Sequence, residues 1–114
     1  MLTQKEGNER AVDYTVVGEK DLPETVQEIL QEKRQEVFQM TYQEENQLFL
    51  LQGYGIQNSG GYSIQVEKVT ENDQELHIKT KLIGPNGGEK EKKGLSCPVI
   101  VVKVENRNKK VVFE

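Results

Sequence analysis

Residues 38–52 read FQMTYQEENQLFLLQ, and this stretch decides the fold class. Phe38, Met40 and Tyr42 alternate with Gln39, Thr41 and Gln43, the period of a half-buried strand. Glu44-Glu45-Asn46 then supplies a turn. In Gln47–Gln52 the pattern changes: Leu48 and Leu50 face one side, Phe49 and Leu51 the other. A strand that is apolar on both faces belongs in the middle of a sheet with both sides covered. The stretch therefore predicts a β-hairpin whose second strand is central.

Upstream lies one clear helix. Leu22, Val26, Ile29 and Leu30 recur at helical spacing and form one apolar stripe. Asp21 is the expected N-cap and Pro23 suits the first turn. Glu24 and Glu28 fall early, and Lys33 and Arg34 late, where the helix dipole favours each sign. The spacing predicts a helix from Leu22 to Arg34. Val12–Val17 reads as a single strand before it, and Met1–Arg10 as a polar tail.

Downstream, Gly53, Gly55, Gly60 and Gly61 frame a loop that also holds Asn58 and Ser59. Tyr62, Ile64 and Val66 alternate with polar residues, as do Leu76, Ile78 and Thr80, predicting two strands joined through Glu71–Gln74. Ile64 and Ile78 should share a buried face. Gly84–Gly94 (GPNGGEKEKKG) reads as a solvated loop. Leu95–Val104 predicts a strong strand, apolar on both faces at Val99–Val102, and Val111–Phe113 a short last one.

The chain has 114 residues, 34% of them hydrophobic, with a net charge of −4. That suits one domain spanning residues 1–114, and no linker divides it. Valine supplies thirteen residues and Ala11 is the only alanine, a profile of strands rather than a helical bundle. Charge is uneven. Residues 1–45 carry 5 Lys/Arg and 11 Asp/Glu, whereas residues 46–114 carry 10 and 8. The expected fold is α+β: one N-terminal amphipathic helix packed on an antiparallel sheet, or on an open barrel or sandwich, of about six to seven strands.

Several function classes fall away. The pI near 5.2 lacks the basic footprint of a nucleic-acid binder. No apolar run approaches the roughly 18–20 residues that span a bilayer. One Cys and one His leave no ordinary zinc set, and no metal or cofactor fingerprint is legible. Cys97 permits no internal disulfide. As a nucleophile it would need a base, and His77 is the only histidine. His77 lies out of phase with Leu76 and Ile78, so it reads as a surface residue, and Cys97 as a structural thiol. Gly84–Gly94 lacks the spacing of a phosphate loop. Glu24, Glu28 and Glu32 read as a solvated helix face.

The glycine loop is the most informative segment for binding. Gly60-Gly61 is expected to supply positive φ or close backbone approach. Tyr54 and Tyr62 flank it with amphipathic rings of the kind common at protein interfaces. The bland alternative is a tight turn with both rings packed at the sheet edge. Tyr54, Gly60, Gly61 and Tyr62 are the candidate partner-binding residues, with no catalytic, cofactor or metal residue assigned.

Residues 48–113 resemble the C-terminal domain family of PrcB, a non-catalytic subunit of secreted bacterial protease complexes. The resemblance rests on the apolar strand Leu48–Leu51, then Ser59-Gly60-Gly61-Tyr62-Ser63-Ile64, the polar hairpin at Asn72 and the loop Pro85–Gly88. Pro98 leading into Val99-Ile100-Val101-Val102-Lys103-Val104 completes it. It implies a β-rich secreted or envelope module that acts by protein assembly, with a protease as the partner. The polar N-terminus shows no export signal core, so the chain as it stands reads as cytoplasmic or as having lost a signal. The leading expectation is a non-enzymatic protein-interaction module. The alternatives are a small proteinase inhibitor, and a small enzyme or ligand-binding β domain. Oligomeric state is not legible.

Overall fold

The computed structural model describes residues 9–85 and 94–114. Its centre is the hairpin read from residues 38–52. Strand β3 (Val37–Glu44) pairs antiparallel with β4 (Gln47–Tyr54) over eight residue pairs, from Val37↔Tyr54 to Glu44↔Gln47. Glu45 takes positive φ at the turn. On its other side β4 pairs with β7 (Val99–Glu105), also antiparallel. The short β2 (Thr15–Val16) completes this sheet in the order β2-β7-β4-β3, here called the inner sheet.

A second sheet has the order β1-β5-β6-β8. Here β1 is Arg10–Ala11, β5 Ser63–Glu71, β6 Glu75–Ile83 and β8 Lys110–Phe113. It is called the outer sheet. Its last strand runs parallel to β6. Helix α1 (Glu24–Lys33) packs on the face of the inner sheet that looks away from the outer one.

The molecule is thus layered as sheet, sheet and helix, with two apolar seams. Leu48, Leu50, Val102 and Val104 meet Val69, Leu76 and Ile78 between the sheets. Phe49, Leu51, Val101 and Phe38 meet Leu22, Val26 and Leu30 beneath the helix. This explains why β4 and β7 are apolar on both faces: each separates two seams. The strands of the outer sheet have one seam and one wet face, so they alternate. Ile64 and Ile78 do share the buried side.

Four expectations change. The described residues hold eight strands, not six to seven, in two sheets that form the sandwich among the expected alternatives, and the outer sheet is mixed rather than wholly antiparallel because β8 runs parallel to β6. Val12–Val17 is not one strand. Its flanks pair into different sheets as β1 and β2, with Val12 buried between them and its N–H donated to the Val69 carbonyl. The helix starts at Glu24 with Pro23 as its cap residue, not Asp21. Proline disfavours helical geometry in the residue before it, and Leu22 is accordingly extended at ψ 154°. Leu22 still buries in the helix seam, and Glu19–Asp21 forms a 3-10 turn that Glu19 ties to Arg34. Finally, β7 starts at Val99 rather than Leu95. The polar tail and the solvated loop lie mostly outside the described residues, at 1–8 and 86–93.

Candidate functional site

Three connecting segments converge at one end of the sandwich, where β4 ends and β7 begins. The first is the glycine loop that follows Tyr54. Gly55 and Gly61 adopt positive φ of 77° and 88°, a region open to glycine at little cost. Gly60 does not adopt it, so only half of the expected Gly-Gly role is conformational. The loop is braced. Gln57 and Ser96 exchange two backbone hydrogen bonds of 2.7 and 3.2 Å. The Ser96 hydroxyl donates to the Ser59 carbonyl at 2.6 Å, and the Gln57 side chain donates to the Tyr54 carbonyl at 3.1 Å.

The second segment is the exit from β6, and the third the chain returning at Gly94–Pro98. A Cβ on Gly84 would sit 3.5 Å from the Tyr62 ring, and one on Gly61 3.4 Å from Pro85. The glycine loop and the described ends of the Pro/Gly loop are therefore neighbours, although they are far apart in sequence. Exposed apolar side chains occur on all three segments: Ile56 at 48%, Ile83 at 39% and Leu95 at 71%.

The two tyrosines have different settings. Tyr54 projects between the sheets. Its hydroxyl lies 2.5 Å from the Thr80 hydroxyl, which donates at 2.9 Å to the Gln52 side-chain carbonyl. Thr80 has one proton to give and gives it to Gln52, so Tyr54 is the donor to Thr80. The hydroxyl of Tyr54 is committed to closing the sandwich, and the loop starts from that anchored point. Tyr62 is half-buried at the mouth, beside Gly84 and next to the positive-φ Gly61. Sequence reasoning found both rings but not this division, nor the contribution of Ile56, Ile83 and Leu95. Nothing in local spacing marks those three residues as neighbours.

One family matches the chain, described as PrcB C-terminal, over residues 48–105. The chain belongs to this family. The PrcB C-terminal match runs from the start of β4 to the end of β7, so it takes in both central strands of the inner sheet and the β5–β6 hairpin between them. It also contains all three converging segments. β8, which the resemblance included, falls outside it, as do β1, β2, α1 and β3. No curated protein and no solved structure matches the chain.

The remaining titratable groups lie elsewhere. His77 is on the wet side of the outer sheet, with Nδ1 2.5 Å from a Glu114 carboxylate oxygen and Nε2 2.8 Å from one of Glu75. Partial burial alone would lower its pKa. The hydrogen bonds and charges of Glu114 and Glu75 outweigh it and raise the pKa above the ordinary value. Both ring nitrogens are thus taken by carboxylates, and the half-buried thiol of Cys97 has its place in the return segment instead. Glu71 accepts Lys109 Nζ at 2.8 Å and lies 3.4 Å from Arg107 Nε. The Lys109 hydrogen bond leads in holding its carboxyl below the usual range, against the opposing effect of burial. Among the described residues no His, Cys, Asp and Glu group could hold a metal ion. No described helix is long and apolar enough to cross a membrane.

Proposed function

We propose that the chain is a non-enzymatic protein-interaction module, an accessory or stabilising subunit of a secreted or cell-envelope protease complex. The observation that supports this most is the PrcB C-terminal match across β4–β7, the part of the fold that builds the converging loop end. The partner surface of this reading is the glycine loop. Tyr62 is the aromatic anchor, Gly60 and Gly61 set the backbone that presents it, and Tyr54 fixes the loop from beneath. Half-buried aromatic anchors ringed by smaller apolar contacts are a common source of binding energy at interfaces.

The bracing of the loop by Gln57, Ser59 and Ser96 also favours a second reading, a small proteinase inhibitor. Inhibitors gain affinity from loops already held in the bound shape. One experiment separates the two. The purified chain is titrated into a panel of secreted bacterial proteases, with binding and peptidase activity read together. Binding without inhibition, with a longer protease half-life, supports the accessory subunit. Stoichiometric inhibition supports the inhibitor. No binding to any protease overturns both. Tyr62→Ala is expected to weaken the binding with the fold intact by circular dichroism.

A further inference from the structure

We propose that the open edge of β3 is a strand-addition surface for an extended, basic-flanked segment of a partner protein. This deepens the protein-interaction reading and rests on it. Among the described residues, β3 pairs only with β4 and forms the end of the inner sheet. An edge strand directs alternate N–H and C=O groups into solvent, where another extended chain can bind them.

Proteins usually blunt such edges with short strands, lysine, proline or bulges. The other edges of this molecule carry those devices. β1 and β2 have two residues each. β8 has four and begins at Lys110. β5, which β1 covers at one end only, has a register shift between Val66 and Lys68. β3 has none of them. It runs for eight residues as VFQMTYQE, without lysine, proline or irregular pairing.

Its side chains are equally open on one face. Phe38, Met40 and Tyr42 pack in the helix seam, whereas Val37, Gln39, Thr41 and Gln43 are exposed. Val37 is 77% exposed, and its Cγ2 would lie 3.0 Å from a Cβ on Gly55. The bare strand is therefore continuous with the glycine loop.

Charge selects the occupant. Glu36 precedes the strand and Glu44-Glu45 end it, with an uncharged stretch between. A centred antiparallel pairing of two copies would set Glu36 against Glu44 or Glu45, and symmetry would repeat the clash at the other end. Like charges directly opposite each other destabilise a strand pair. The edge thus disfavours a second copy. It favours an extended segment with Lys or Arg on both sides of an uncharged stretch.

The test uses the full chain and three synthetic peptides: KKTVTVQTKK, its acidic twin EETVTVQTEE, and the basic peptide N-methylated on alternate backbone nitrogens. At low salt the basic peptide should bind about tenfold tighter than the acidic twin, the combined effect of several cross-strand charge pairs. It should slow hydrogen exchange at alternate β3 amides, and N-methylation should abolish both effects. The double variant Glu36→Lys, Glu44→Lys should reverse the preference while keeping its circular dichroism. Equal binding of the twins, protection elsewhere than β3, or a concentration-dependent dimer of the chain alone protected at β3 would each overturn the proposal. If the charge-reversed variant still captures a protease that the wild type captures, the edge proposal fails and the accessory-subunit reading stands. If the basic peptide occupies β3 but no protease binds, the accessory-subunit reading fails alone.

Discussion

The inner and outer sheets are built from similar residues but are buried differently. The inner sheet lies between two apolar seams, so β4 has Leu50 on one side and Leu51 on the other, both essentially inaccessible. The outer sheet has one seam, so β6 buries Leu76 and Ile78 while His77 and Lys79 point away from it. The difference shows that strand composition here reports how many faces are covered. A continuous apolar run marks a strand with a seam on both faces, as in β4 and β7, whereas alternation marks one wet face, as in the outer sheet and in the edge strand β3. The helix matters because it supplies most of the second seam: without Val26 and Leu30, the Phe49–Leu51 face would lose the two most deeply buried side chains that cover it.

The most direct way to break the contrast is to remove volume from each layer. Leu51→Ala is expected to cost about 2–5 kcal/mol, read from urea unfolding, because a fully buried leucine leaves a cavity. Lys79→Ala on the wet face of the outer sheet should change stability by less than about 0.5 kcal/mol. Equal losses would mean that the two faces are not buried as described.

A smaller effect is expected at Gly53. A Cβ there would sit 2.3 Å from Phe38 Cε1, since the ring lies across the glycine of the neighbouring strand. Gly53→Ala should cost about 1–3 kcal/mol through overpacking. Combining it with Phe38→Leu should cost less than the sum of the two changes, because they share one contact. Strict additivity would refute the contact.

Tyr54→Phe sharpens the comparison where the sheets meet. It removes the donor to Thr80 but keeps the ring, and a loss of about 1 kcal/mol is expected. Partner binding should weaken less in this variant than in Tyr62→Ala, because the hydroxyl faces inward.

The smallest effect concerns pH, and it should belong to the outer sheet alone. The pKa of His77 is raised from 6.5 in the folded chain. A group of this kind adds stability that is complete below its unfolded pKa and lost as pH rises through the folded one. Unfolding midpoints should therefore fall as pH rises from 6.5 through the folded value. His77→Gln should flatten that fall, and an unchanged slope would count against the Glu75 and Glu114 contacts.

Much of this arrangement could be read from residues. The double-faced runs Leu48–Leu51 and Val99–Val102 announced the two central strands, and the Leu22–Leu30 stripe announced the helix. What escaped were features that depend on distant pairing. Val12–Val17 is locally one β-prone run, and only the positions of β5 and β7 divide it between two sheets. The parallel placement of β8 beside β6 leaves no local trace either. At the site, the tyrosines and glycines stood out by type. Their roles depended on Thr80 and Gln52 for Tyr54, and on Gly84 for Tyr62. These are contacts across some 20–30 positions that no periodicity encodes.

The order of strands also sets a schedule. β4 and β7 are neighbours in space, yet the whole β5–β6 hairpin is threaded between them in the chain. On a ribosome the hairpin can zip as soon as it emerges, since its partners are adjacent in sequence. The middle layer has to wait for Val99–Glu105: until then Leu50 and Leu51 have only β3 beside them, and the other edge of β4 stays open. Long-range pairing of this type slows folding and lengthens the exposure of sticky strands. The part of the molecule that is most deeply protected once folded is thus the part most in need of protection while it is being made.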